Sequence, residues 1–138
     1  MDLMFQPLRK YADFTGRARR KEFWLFWLFN VLIHAVLGIG VAASGGTYMM
    51  GFGHMTGGAL AFTGLRGVVA LVLLVPNLAV AFRRLHDTGR SAWWLLLCLV
   101  PFLGWLVLLI FYLIDGAPGE NRFGPNPKGV GEPAPYQA

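Results

Sequence analysis

Residues 23–43 read FWLFWLFNVLIHAVLGIGVAA, a stretch without a formal charge. The hydrocarbon core of a bilayer is about 30 Å thick, and a helix needs roughly 20 mostly apolar residues to cross it. This stretch has that length, and its only strongly polar members are Asn30 and His34. Residues 91–114 have it too, with no charge at all. A third segment, 66–82, is shorter. It opens on Arg66, whose long side chain can reach the interface, and it contains Pro76, whose kink membrane helices tolerate. The expected architecture is therefore all-α, with spanning helices at 23–43, 66–82 and 91–114.

The composition points the same way. Of the 138 residues, 56% are hydrophobic and 14% charged, whereas soluble domains average roughly 25% charged. Mean hydropathy is +0.53. A chain this small exposes much of its surface, and these few charges cannot cover it in water. Disorder requires low hydrophobicity and is excluded. Cys98 is the sole cysteine, which excludes a disulfide scaffold. What fits is one integral membrane domain covering 1–138. A cleaved signal would have an apolar region of about 7–15 residues. The first segment is longer and opens with Trp24 and Trp27, so it reads as a retained anchor.

Charge placement orients the chain. Arg9, Lys10, Arg17, Arg19, Arg20 and Lys21 precede the first span, residues 44–65 hold no Lys or Arg, and Arg83, Arg84 and Arg90 lie between the second and third. The positive-inside rule places the N-terminus and the 83–90 turn in the cytoplasm. The net charge of +5 follows from this asymmetry. Because the bases border apolar spans, the bilayer and its anionic phospholipids are the expected partners, and nucleic acid is not.

Three further segments connect these spans. Residues 1–22 form a basic interfacial segment. Residues 44–65 are rich in glycine and read as an outer loop. Residues 115–138, with Pro118, Pro125, Pro127, Pro133 and Pro135, read as an extended tail. Within the third span, Pro101 and Gly104 interrupt the helix. The segment is then either a kinked span or a re-entrant hairpin that returns the tail to the cytoplasm. A hairpin needs surrounding protein to bury its backbone groups, and with few helices available the kinked span is favoured.

Polar groups at membrane depth are costly and each needs a role. Asn30 and His34 share one face of the first helix, and Asn77 lies at a similar depth on the second, so these three are expected to make polar contacts between helices. A proton relay through His34 would need further Asp, Glu or His at that depth, and the spans contain none. The turn from Phe82 to Trp94 is richer. Arg83, Arg84, His86, Asp87 and Arg90, together with Arg17, Arg19 and Arg20, are expected to form an anion or lipid-headgroup site, with Asp87 orienting an arginine. The plainer alternative is a topology-setting basic turn with a surface ion pair. Gly89 suits a helix end and Ser91 a helix start. No nucleophile accompanies His86 and Asp87, so no catalysis is expected, and no cofactor; a membrane enzyme acting on a phosphorylated lipid through His86 and Asp87 is the third reading. Met49, Met50, His54 and Met55 are ligand types that suit Cu(I), but methionine and glycine also fill such loops, and no metal site is assigned.

Three blocks of sequence carry a resemblance. Gly16-Arg-Ala-Arg-Arg-Lys-Glu-Phe-Trp24, Phe82-Arg-Arg-Leu-His-Asp-Thr-Gly-Arg-Ser91 and Pro118-Gly-Glu-Asn-Arg-Phe-Gly-Pro-Asn-Pro127 together resemble a family of small bacterial inner-membrane proteins. That family is catalogued as domain of unknown function eight hundred and five. The resemblance runs from about Phe14 to Lys128 and implies a bacterial plasma-membrane location, a few helices and no established activity. It singles out a tail motif of Glu120, Asn121, Arg122, Phe123, Gly124 and Pro125. If that tail meets the two cytoplasmic blocks, the re-entrant arrangement gains support. The functional expectation is a structural or accessory protein whose arginine-rich cytoplasmic face binds anionic lipid or a partner, as a homo-oligomer or with another membrane protein. The alternative is a small oligomeric transporter or channel component.

Overall fold

Apolar length and a few well-placed turn residues account for most of the fold. The computed structural model describes residues 2–46 and 56–129. The described residues form helices joined by turns, and their only β feature is an isolated bridge between Asn121 and Gly124. In order these are α1 (Asp2–Arg9), α2 (Arg20–Ala43), α3 (Gly57–Asp87), a 3-10 helix η1 (Ala92–Leu99) and α4 (Leu103–Leu113). By length and composition, α2 and α3 are able to cross a membrane. The chain divides into two compact units, one of residues 27–75 and the other of residues 1–26 with 76–138.

In the unit of residues 27–75, α2 and α3 approach through small residues. A methyl group added at Gly40 would strike the Phe62 ring, and one at Gly46 would meet Val41 and Ala59. Such residues let helix backbones come close where lipid supplies no hydrophobic drive. Leu37, Val41, Ala59 and Leu73 are buried, while Val36, Ile39 and Leu71 stand 66–70% exposed. Side chains that apolar on an outer face suit lipid as the surrounding solvent. α2 ends at Gly45 (φ 80), with Gly45 N–H donating to Ala42 O and Gly46 N–H to Val41 O. This paired closure over a left-handed residue is what glycine permits.

α3 starts at Gly57, nine residues before the expected start at Arg66. Thr56 explains the difference. Its hydroxyl accepts from Ala59 N–H at 3.2 Å and donates to Ser44 O, so a cap outweighs the loop-like glycines that follow. The expected 44–65 loop is correspondingly shorter. Residues 47–55, which include Met49, Met50, His54 and Met55, lie outside the described residues. At its other end α3 runs through Pro76 to Asp87, five residues beyond the expected boundary. It closes as α2 does: Gly89 (φ 73) donates to His86 O and Arg90 N–H to Leu85 O.

The third expected span is not a single helix. Residues 92–99 form η1, Phe102 takes φ 60 and ψ −69, and α4 begins at Leu103. Leu103 N–H donates to Pro101 O at 2.8 Å, closing a tight turn around Phe102. A turn of this hand is strained for a side-chain-bearing residue. η1 and α4 then run antiparallel. Trp105 Nε1 donates to Cys98 O at 3.0 Å, and Trp94 meets Phe111 edge-to-face at 5.4 Å. Gly104 sits flush against Leu97 O, where no side chain fits. The favoured kinked span is therefore replaced by a helical hairpin. Its arms, at about 2 Å per residue for η1 and about 1.5 Å for α4, are each roughly 16 Å long, half a bilayer core.

Candidate functional site

The last two turns of α3 carry Arg83, Arg84 and Asp87, and the first turn of α2 carries Glu22. Ala18 N–H donates to Arg83 O at 3.0 Å and Phe14 packs edge-on against Phe82, which draws the segment before α2 onto the end of α3. Arg17 is thereby set beside Asp87. Asp87 accepts from Arg17 Nε at 2.9 Å through one oxygen and from Arg84 Nη1 at 2.7 Å through the other. Glu22 accepts from Arg83 Nη1 at 2.7 Å. None of these five side chains is more than 3% exposed.

Three buried guanidiniums thus face two carboxylates, and buried charge must be compensated. Backbone carbonyls of the tail supply the remainder. Arg17 donates to Ala117 O at 2.5 Å, Gly119 O at 2.6 Å and Gly124 O at 3.4 Å. Arg84 donates to Tyr112 O and Ile114 O, and Arg20 to Leu113 O at 2.8 Å. Those carbonyls end α4, where they lack partners within the helix and carry its negative dipole end. Arginines from α2 and α3 therefore cap α4 and hold the hairpin shut. Arg83 Nε and Nη2 have no hydrogen-bond partner among the described residues.

Among the described residues the tail, 115–129, has no helix or strand, and it is pinned. Ala117 N–H donates to Asp87 O at 2.8 Å, and Gly116 passes so close to the Asp87 carboxylate that a methyl group there would collide with it. Asn121 Nδ2 donates to His86 O at 2.9 Å, and the Phe123 ring stacks on His86 at 3.9 Å and 5°. Arg122 Nη2 donates to Gly89 O at 3.3 Å. Asn126 is buried and donates to Ala117 O at 3.2 Å. Further out, Asp115 accepts from Lys128 Nζ at 2.5 Å and from Arg20 Nη2 at 2.9 Å. The Lys128 hydrogen bond, aided by Arg20, holds this exposed carboxyl below the usual aspartate range.

Of the residues expected to bind anions, Arg17, Arg83, Arg84 and Asp87 converge, but inward: they are packed in the protein, Arg83 bonded to Glu22 and the others to one another or to the tail. Arg20 is turned toward α4 and Asp115. Arg19 is exposed, and Arg90 lies half-buried with its guanidinium 4.0 Å over the Phe111 ring. The basic turn is an internal staple, which neither reading of it from sequence had anticipated. Asn30 and His34 are half-buried on α2, with His34 Nδ1 buried and without a partner among the described residues; Asn77 is half-buried on α3. Glu120 and Pro125 are exposed. Sequence reasoning missed Glu22, Asp115, Gly116 and Asn126. Glu22 left one signal: it is the lone acid in the basic run 17–22.

The three blocks that build this cluster also decide the kinship. A family model described as "Protein of unknown function (DUF805)" matches residues 11–125. The chain belongs to this family. Among its relatives, Inner membrane protein YhaH of Escherichia coli (strain K12) is 45% identical over 128 residues, covering 93% of this chain and 98% of that protein. Inner membrane protein YhaI of the same strain is 42% identical, covering 93% and 97%. Uncharacterized protein YiiR is 28% identical over 143 residues, covering 86% and 88%. No solved structure matches. The DUF805 match spans Arg17, Glu22, the α3 cluster and the tail through Pro125. This chain is thus an α-helical relative of inner-membrane proteins whose function is unassigned.

Proposed function

We propose that this protein is a non-catalytic structural or accessory component of the bacterial inner membrane. In this reading it presents a rigid basic platform on the cytoplasmic side to anionic phospholipid. The observation that carries the reading is the division of labour among the arginines. Arg17, Arg83 and Arg84 are buried at 0–1% side-chain exposure and hold the platform together. Arg19, Lys21 and Arg122 remain exposed beside it. A buried set that fixes geometry and exposed bases beside it suit attraction to a negatively charged leaflet, worth about 1 kcal/mol per base near the surface. In this reading α2 and α3 cross the membrane with the N-terminus inside, as the positive-inside rule expects, and the platform faces the cytoplasm.

The test is the thermal midpoint of the purified chain in nanodiscs of phosphatidylcholine alone and of phosphatidylcholine with phosphatidylglycerol. Ligand that binds only the folded state raises the midpoint. The anionic discs are expected to stabilise the protein, and the Arg19→Gln/Lys21→Gln/Arg122→Gln variant to lose that gain. Equal midpoints in both discs would remove the reading.

A further inference from the structure

The turn that closes α3 is the apex of a V. From it α3 runs one way through His86 and Phe82 to Leu78, while η1 runs the other through Leu95 and Leu96 to Cys98. A cleft of about 530 Å³ lies between these arms, within the roughly 300–1,000 Å³ typical of small-molecule sites. Its walls are apolar except at the apex, where His86 and Ser91 face it. From His86 to Leu78 is about 12 Å of helix at 1.5 Å per residue. The cleft is therefore elongated, with its polar groups at one end.

Positive charge gathers at that same end. Arg122 donates to Gly89 O in the turn, with its guanidinium 4.7 Å over the Phe123 ring that stacks on His86. Arg90, the next residue along the turn, is turned to α4, with its guanidinium over the Phe111 ring. Trp93, 78% exposed, stands at the cleft wall just past Ser91, a side chain suited to the headgroup level. An elongated apolar slot with the Arg122 guanidinium beside its polar end is complementary to a molecule with a linear apolar body and a negative head. We infer that the cleft holds one acyl chain of an anionic phospholipid, with its headgroup beside Arg122 and its tail running toward Leu78 and Cys98. This rests on the lipid-binding reading above and sharpens it from a charged surface to a built site.

The experiment uses the full chain in nanodiscs carrying a trace of phosphatidylglycerol with a photoactivatable diazirine in mid-chain, and in a parallel set phosphatidylcholine with the same chain. After irradiation, adducts are mapped by peptide mass spectrometry. Phosphatidylglycerol is expected to label residues 92–98 or 78–82 severalfold more than phosphatidylcholine does. Leu96→Trp and, separately, Cys98→Phe, each checked for an unchanged thermal midpoint, are expected to abolish that excess by filling the slot. Leu109→Trp, on the exposed face of α4, is expected to leave it intact. Equal labelling by the two lipids, labelling spread over α2 and α4, or labelling indifferent to both filled variants would overturn the inference. If the anionic discs still stabilise the protein in those cases, the cleft alone has failed. If the discs give equal midpoints, the surface reading has failed first.

Discussion

Asp87 is the residue on which the arrangement turns. Its two oxygens serve Arg17 and Arg84, and its backbone carbonyl receives Ala117. Removing one partner of a buried ion pair leaves the other charge uncompensated, which costs about 3–5 kcal/mol. Asp87→Ala is therefore expected to lower the free energy of unfolding, measured in detergent by denaturant titration, by at least that amount. Arg19→Ala, at an exposed position, is expected to change it by under about 0.5 kcal/mol. Asp115 behaves differently because solvent screens it. Its carboxyl is held low by Lys128 first and Arg20 second. The contribution is thus present above the ordinary aspartate range and is lost as pH falls through the lowered value. Wild-type protein is expected to lose a small increment of thermal stability on that acid limb, and Asp115→Asn to lack the loss. Asp87 was legible in the sequence as a partner for arginine, but its depth was not. Arg17 lies 70 positions away, and nothing local announces that the two meet.

At the scale of elements, apolar length predicted α2 closely and the break at Pro101–Gly104 was visible. What the break does was not legible, because it depends on contacts far along the chain. Arg84 reaches the carbonyls of Tyr112 and Ile114 from 28 and 30 positions away. The start of α3 was misjudged for a related reason. Gly57, Gly58 and Gly64 read as loop, yet Thr56 caps them into helix. Glycines in these elements are not equivalent, and this can be checked. Gly104→Val drives a side chain into Leu97 O and is expected to open the hairpin, seen as a lower thermal midpoint and new protease cleavage near residues 100–103. Gly64 has open space around it. Gly64→Ala is expected to be neutral or to stabilise by up to about 1 kcal/mol through helix propensity.

Across the whole molecule, composition alone pointed to lipid as the solvent, and charge asymmetry gave an expected inner face by rule. The sidedness of the tail followed from neither. A single span over 91–114 would send Asn121 to Pro127 away from Arg17, whereas the hairpin and the carbonyls of Ala117, Gly119 and Gly124 on Arg17 keep them together. The central claim is that both ends of the chain lie on one side of the membrane, stapled by the buried arginines. The direct measurement is a matched set of topology reporters, a fluorescent protein that matures in the cytoplasm and a phosphatase active only outside it, fused in turn to the N-terminus and to the C-terminus. The account predicts fluorescence and no phosphatase activity from both ends. Phosphatase activity from the C-terminal fusion alongside fluorescence from the N-terminal one would contradict it.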